Sequence, residues 1–141
     1  MENMIYERAL LIAIKAHAEQ KRWNGEPYVC HPVRVAARVA AAMAGTHPAD
    51  RVEVHKIAAV LHDTVEDTEV TLDEIRATFG GEIAEAVDYL TRREGESYED
   101  FVDRCSRNQI ALRVSERDKK YAAARQKLSA LLRVSETNTS A

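Results

Sequence analysis

Ala58-Ala59-Val60-Leu61-His62-Asp63-Thr64-Val65-Glu66-Asp67 is the stretch on which the reading of this chain turns. Val54, Ile57, Ala58 and Leu61 recur at three- and four-residue spacing, the period of a helix with one apolar face. Asp50 stands ahead of them as a capping residue. The helix ends where His62 and Asp63 begin, so it delivers an imidazole and a carboxylate side by side. Two further carboxylates, Glu66 and Asp67, follow within one turn. Adjacent histidine and aspartate can hold one divalent ion, and mixed nitrogen and oxygen donors suit Mn²⁺, Fe²⁺ or Zn²⁺. A water near Glu66 and Asp67 could then be deprotonated and aimed at phosphorus. The competing reading of the hexapeptide is a chance His-Asp pair in a solvated acidic loop.

Helical spacing continues on both sides. Ile5, Ala9, Ile12, Ala13 and Ala16 form an apolar stripe that fades near Lys21, and Gly25 and Pro27 break the chain into a loop. A second helix starts at His31-Pro32, where proline suits the first turn, and stops at Gly45. Thr71 and Glu74 have capping-box spacing ahead of a short helix that ends at Phe79-Gly80-Gly81. Ile83, Ala84, Val87 and Leu90 mark the next helix, and Ser97 to Asp100 start another. A last helix is expected from Glu116 to Val134, with Tyr121, Ala124, Leu128 and Leu131 on one face. No strand, repeat or low-complexity tract stands out. The fold class is all-α, a bundle of about six or seven helices. One domain is expected over residues 1–134, followed by a polar C-terminal tail, 135–141.

With 141 residues the chain can bury a real core without disulfides or a structural metal. Hydrophobic residues at 45% and charged residues at 30% exclude a disordered chain. A net charge of −3 argues against a general nucleic-acid surface but leaves room for a local basic pocket. Cys30 and Cys105 fit no paired motif and read as free thiols in a reducing cytoplasm, with a metal contact by Cys30 as the alternative. The run from Ala9 to Ala18 is broken by Lys15 and His17, so neither a signal peptide nor a membrane span is expected. The expected location is cytoplasmic, with no membrane or nucleic-acid partner. The apolar faces of the last helices do not reveal an oligomeric state.

Two more segments carry polar chemistry. His31, at a helix start after a proline-containing loop, is placed to point into a cleft, although a capping or core histidine is the plainer reading. Arg22 and Trp23, before the loop at Asn24-Gly25, offer a bidentate phosphate contact and a stacking surface. A solvated basic helix end explains them equally well.

Taken together, Ala16-His17-Ala18-Glu19-Gln20-Lys21-Arg22, Gly25-Glu26-Pro27-Tyr28, His31-Pro32, the stretch from Ala58 to Thr68, and Phe79-Gly80 resemble the HD hydrolase domain of the RelA/SpoT family. The likeness is to its small stand-alone members and covers residues 5–105. It implies a helical HD fold, one divalent metal, usually Mn²⁺, and a small-molecule nucleotide substrate. It implies removal of the 3′-pyrophosphate of guanosine tetra- or pentaphosphate, the nucleotides of the stringent response. By the same resemblance His31, His62 and Asp63 are metal ligands. Glu66 and Asp67 position and activate the water, Arg22 lies against the base, and Asn24 is near the nucleotide. Trp23 departs from the family, which often has a basic residue there.

The family continues with Lys-x-Ala-Asp-x-x-x-Asn, whose aspartate completes the metal site. Two registers are open here. A gapless register makes Asp118 the fourth ligand, with Ser115 in place of the lysine and Ala122 in place of the asparagine. The other deletes the segment, and Tyr121 to Leu132, which continues like the family's last helix, favours it slightly. An HD hydrolase of another nucleotide, or an HD module that binds a nucleotide without cleaving it, remains open alongside the leading reading.

Overall fold

The computed structural model describes the backbone of residues 5–139 and the side chains of residues 5–133. Nine α-helical segments lie along it: α1 (Ile5–Ala16), α2 (Cys30–Met43), α3 (Ala49–Leu61), α4 (Thr64–Asp67), α5 (Leu72–Phe79), α6 (Gly81–Tyr89), α7 (Tyr98–Cys105), α8 (Gln109–Glu116) and α9 (Ala122–Thr139). A 3₁₀ turn, Lys119–Tyr121, joins α8 to α9. The all-α class stands, and the described residues hold no strand. All seven expected helices are present. The two additions, α4 and α8, are short. The expected tail falls largely outside the described side chains, although the backbone of α9 is helical through Thr139.

Helix α3 is the hub, packed against α1, α2, α6 and α8. Its last five residues, Ile57 to Leu61, are all buried, so its end is apolar all round rather than one-faced. Ala9 and Ala13, small and four apart on α1, are fully buried, with α1 packed on α3. Phe101, Ile57, Leu61 and Leu90 are the largest apolar side chains in the core. Complete burial of each stabilises the fold by about 1.5–3 kcal/mol.

Local chemistry explains most boundaries. Thr71 and Glu74 form the reciprocal capping box, and Ser97 accepts from the Asp100 N–H. Gly45, at φ +79°, lies just beyond α2, where a side chain would be strained. Asp50 is not a cap: Pro48 precedes α3, and Asp50 lies in its first turn, where its charge suits the helix dipole. The expected helix from Glu116 to Val134 is also corrected. The chain leaves α8 at Arg117, and the Asp118 carboxylate accepts the Lys120 N–H at 3.0 Å, starting a new turn. Aspartate favours such capping geometry, and here it overrides the helical periodicity on either side.

Candidate metal centre

The buried end of α3 carries His62 inward. Its Nδ1 donates to the Ala59 carbonyl, which leaves Nε2 as the free nitrogen. Thr64 Oγ1 donates to Leu61 O at 2.7 Å and pins the corner between α3 and α4, where Asp63 sits. His31 enters from the first turn of α2. Asp118 enters from the corner after α8. The four residues come from three segments far apart in sequence, around His31, His62-Asp63 and Asp118.

These four side chains converge. His62 Nε2 lies 3.3 Å from Asp63 Oδ2 and 3.3 Å from Asp118 Oδ2. His31 Nε2 lies 3.3 Å from Asp118 Oδ2 and 3.8 Å from Asp63 Oδ2. The ligand atoms of His31, His62 and Asp63 all fall within 4.8 Å of one another. Donor atoms bound about 2.1 Å from one ion stand about 3–3.5 Å apart when neighbouring and about 4.2 Å when opposite, so the 3.3–3.8 Å spacings fit a shared divalent cation. The burial fits too. His62 Nε2 and Asp118 Oδ2 are buried and make no properly directed hydrogen bond despite their closeness. Orphaned buried polar atoms are costly, and an ion between them would satisfy both. Cys30 is not among these residues, and both cysteines are free thiols.

The electrostatics match the arrangement. Burial alone would depress the His62 imidazole, but Asp63 and Asp118 outweigh it and raise its pKa to about 9. Burial would raise Asp118, yet the His31 and His62 imidazoles close beside it hold it well below the usual carboxylate range. Tyr28 donates its hydroxyl to Asp63 Oδ2 at 2.8 Å, and burial and that carboxylate keep the phenol protonated. Glu66 and Asp67 lie on α4 and are exposed. Partial desolvation raises both pKa values. Asp67 raises Glu66 further, and Asp63 raises Asp67, while Lys120 opposes the shift of each.

A cavity of about 530 Å³ opens beside the cluster. Tyr28, His31 and Asp118 form part of its wall, and five cations, Arg22, Arg34, Arg38, Lys119 and Lys120, form the rest. This size is in the range of small-molecule sites. Of the sequence-derived contacts, Arg22 lines the cavity and Asn24 does not. Asn24 Oδ1 instead accepts the Glu26 N–H at 3.0 Å and shapes its own loop. Trp23 is 91% exposed and touches neither the cavity nor the cluster.

Sequence reasoning gave no role to three residues near the site. His17 is buried beside Tyr28, with ring centroids 5.0 Å apart, and its Nδ1 meets Gln20 Oε1 at 2.8 Å. Gln20 Nε2 in turn donates to the Asp67 carbonyl at 2.8 Å, tying the loop after α1 to α4. The third is Tyr28. One signal was legible: His17 continues the four-residue spacing of Ala9 and Ala13, a polar group on a buried stripe.

The profile of the HD domain matches residues 9–135. The chain belongs to the HD-domain family. It is 42% identical over 86 residues to a guanosine-3′,5′-bis(diphosphate) 3′-pyrophosphohydrolase of Aquifex aeolicus, covering 61% of this chain and 11% of that protein. The enzyme of the same name from Vibrio cholerae is 37% identical over 94 residues, 66% of this chain and 12% of its own length. A GTP pyrophosphokinase of Streptomyces coelicolor is 41% identical over 86 residues, 61% and 9% respectively. The chain thus spans only about a tenth of these curated relatives. A solved structure of a metazoan SpoT ortholog described as hydrolysing ppGpp superposes with a TM-score of 0.58. It covers 92% of this chain and 94% of its own at 19% identity, a likeness of fold. No described helix is long and apolar enough to cross a membrane.

Proposed function

We propose that this HD domain is a divalent-metal-dependent phosphohydrolase that removes the 3′-pyrophosphate of guanosine tetra- or pentaphosphate. The observation that carries the reading is the buried cluster of two imidazoles and two carboxylates, with orphaned Nε2 and Oδ2 atoms, opening onto a cation-lined cavity. Relatives named for this hydrolysis support the choice of substrate.

His31, His62, Asp63 and Asp118 would hold the ion, with Mn²⁺ the proposed metal. When bound, it supplies Lewis-acid polarisation of a phosphoryl oxygen and charge stabilisation at phosphorus. The protein's own groups do the rest. Tyr28 orients the Asp63 carboxylate. Glu66 and Asp67, whose pKa values are raised by partial burial, accept a proton from the attacking water and return one to the leaving oxygen. Arg22 contacts the nucleotide from the cavity wall, and Asn24 holds the turn beside it. Cys30 and Cys105 remain thiols, consistent with a reducing cytoplasm.

The test is pyrophosphate release from guanosine tetraphosphate with added Mn²⁺, beside His62→Ala. Release by the parent alone is expected. Metal-loaded parent that releases nothing would overturn the reading and favour a module that binds the nucleotide without cleaving it. Ser115 and Ala122, where the resembling family has lysine and asparagine, are the observation behind that second reading.

A further inference from the structure

The five cations around the cavity are not equivalent. Glu26 takes Arg34 in a bidentate pair and lies 3.8 Å from Arg22, so that loop neutralises much of its own charge. Arg38 reaches across to donate to the Arg117 carbonyl at 3.3 Å. Among the described residues, Arg38, Lys119 and Lys120 have no carboxylate within ion-pair distance. Three cations free of direct ion pairs line this cavity in a chain whose net charge is −3, with Glu66 and Asp67 acting on Lys120 only from beyond ion-pair distance.

The two lysines are held where they are by the metal centre itself. Asp118 faces the histidines with Oδ2 and caps the Lys120 N–H with Oδ1, so a candidate ligand and two cations share one short turn. Lys120 stands close enough to Glu66 and Asp67 for its charge to act on both. Its ammonium lies over the Tyr121 ring, 5.3 Å from the centroid. Ser115 does not line this cavity. Its hydroxyl is buried, donating to Leu112 O at 3.0 Å and accepting from Arg125 at 2.6 Å. Ala122 offers no polar group. The anion contacts available on this side of the cleft therefore come from the turn after Asp118.

We propose that Lys119, Lys120 and Arg38 form a second anion site, which holds a phosphate or pyrophosphate group of the substrate other than the one at the metal. The inference rests on the proposed function for the metal end. It adds that the cleft favours a nucleotide phosphorylated at two separate positions over one with a single phosphorylated position. Ammonium groups act as point charges and tolerate several phosphate orientations, so the site selects charge placement rather than a particular base.

The test uses the full chain and inorganic pyrophosphate as probe, by calorimetry in EDTA at low ionic strength. The parent should bind, and the double variant Lys119→Gln/Lys120→Gln should bind at least tenfold more weakly. Arg107→Gln, which removes a remote cation paired with Asp103, controls for net charge. Pyrophosphate binding equal in the double variant and the parent overturns the proposal, as does an equal loss in Arg107→Gln. With Mn²⁺ and guanosine tetraphosphate the double variant should raise KM about tenfold. Absence of hydrolysis in every protein would sink the proposed function, while the pyrophosphate titration would still decide the anion site.

Discussion

Asp118→Asn separates two jobs done by one side chain. The Oδ1 atom caps Lys120, and asparagine keeps that acceptor, so the loss of about 1 kcal/mol expected for a missing cap is avoided. The Oδ2 atom, 3.3 Å from both imidazoles, changes from a carboxylate oxygen to part of an amide. Without metal, the carboxylates lift His62 from 6.5 to about 9. That lift corresponds to about 3 kcal/mol of interaction, shared between Asp63 and Asp118. The variant should therefore lose about 1–2 kcal/mol in EDTA and unfold several degrees lower, still cooperatively. Metal binding should suffer more. Substitutions behind a ligand already weaken metal sites about 10–100-fold. Removal of a ligand should cost at least about 100-fold, or about 2.7 kcal/mol. Calorimetric titration with Mn²⁺ measures this directly. If Asp118→Asn binds Mn²⁺ within about threefold of the parent while His62→Ala does not bind, Asp118 is not a ligand and the four-residue site is wrong.

Tyr28→Phe removes the hydroxyl that orients Asp63, and should lower Mn²⁺ affinity or turnover about 10–100-fold with the fold intact; unchanged titration and kinetics would remove Tyr28 from the site. Glu66→Gln combined with Asp67→Asn should cut hydrolysis about 10²–10⁴-fold and leave Mn²⁺ affinity within a few-fold, and parallel loss of both would make the pair ligands instead. His55 is fully buried, with Nδ1 against the Arg51 carbonyl at 2.7 Å and Arg113 at its other nitrogen, 3.1 Å away. Burial, with the nearby arginine charges, pushes its pKa below 6.5, so it is neutral when folded and takes up a proton near 6.5 when unfolded. Its stabilising effect is thus present above pH 6.5 and falls as the pH drops toward the folded-state value. Urea midpoints between pH 5 and 7.5 should fall more steeply with acid in the parent than in His55→Gln, and equal slopes would refute this.

Much of the fold was legible because its signals are local. Apolar spacing marked seven helices, and Thr71, Glu74 and Ser97 marked starts that the structure keeps. The two helices that went unread, α4 and α8, are short and flank the site. Thr64–Asp67 is a single turn with no room for a period to show. Gln109–Glu116 was not read as a helix, because the last helix was expected to begin at Glu116 and the Asp118 cap that separates the two is set by the fold. Asn24 and Trp23 stood out by type and lie outside the cavity, since a loop's direction depends on what closes it. Here the closure is the bridge between Lys21 and Pro27.

The sequence by itself determined the helical class, the pairing of His62 with Asp63 at a helix end, and the placing of Glu66 and Asp67 one turn on. Periodicity, capping and adjacency are properties of neighbouring residues. Tertiary structure decided that His31 and Asp118, from opposite ends of the chain, meet that pair, and that Ser115 turns inward while Lys119 and Lys120 face the cleft. Those outcomes depend on α3 being buried all round and on one aspartate capping a turn between two helices. Only packing fixes which of several acids ends up between two imidazoles.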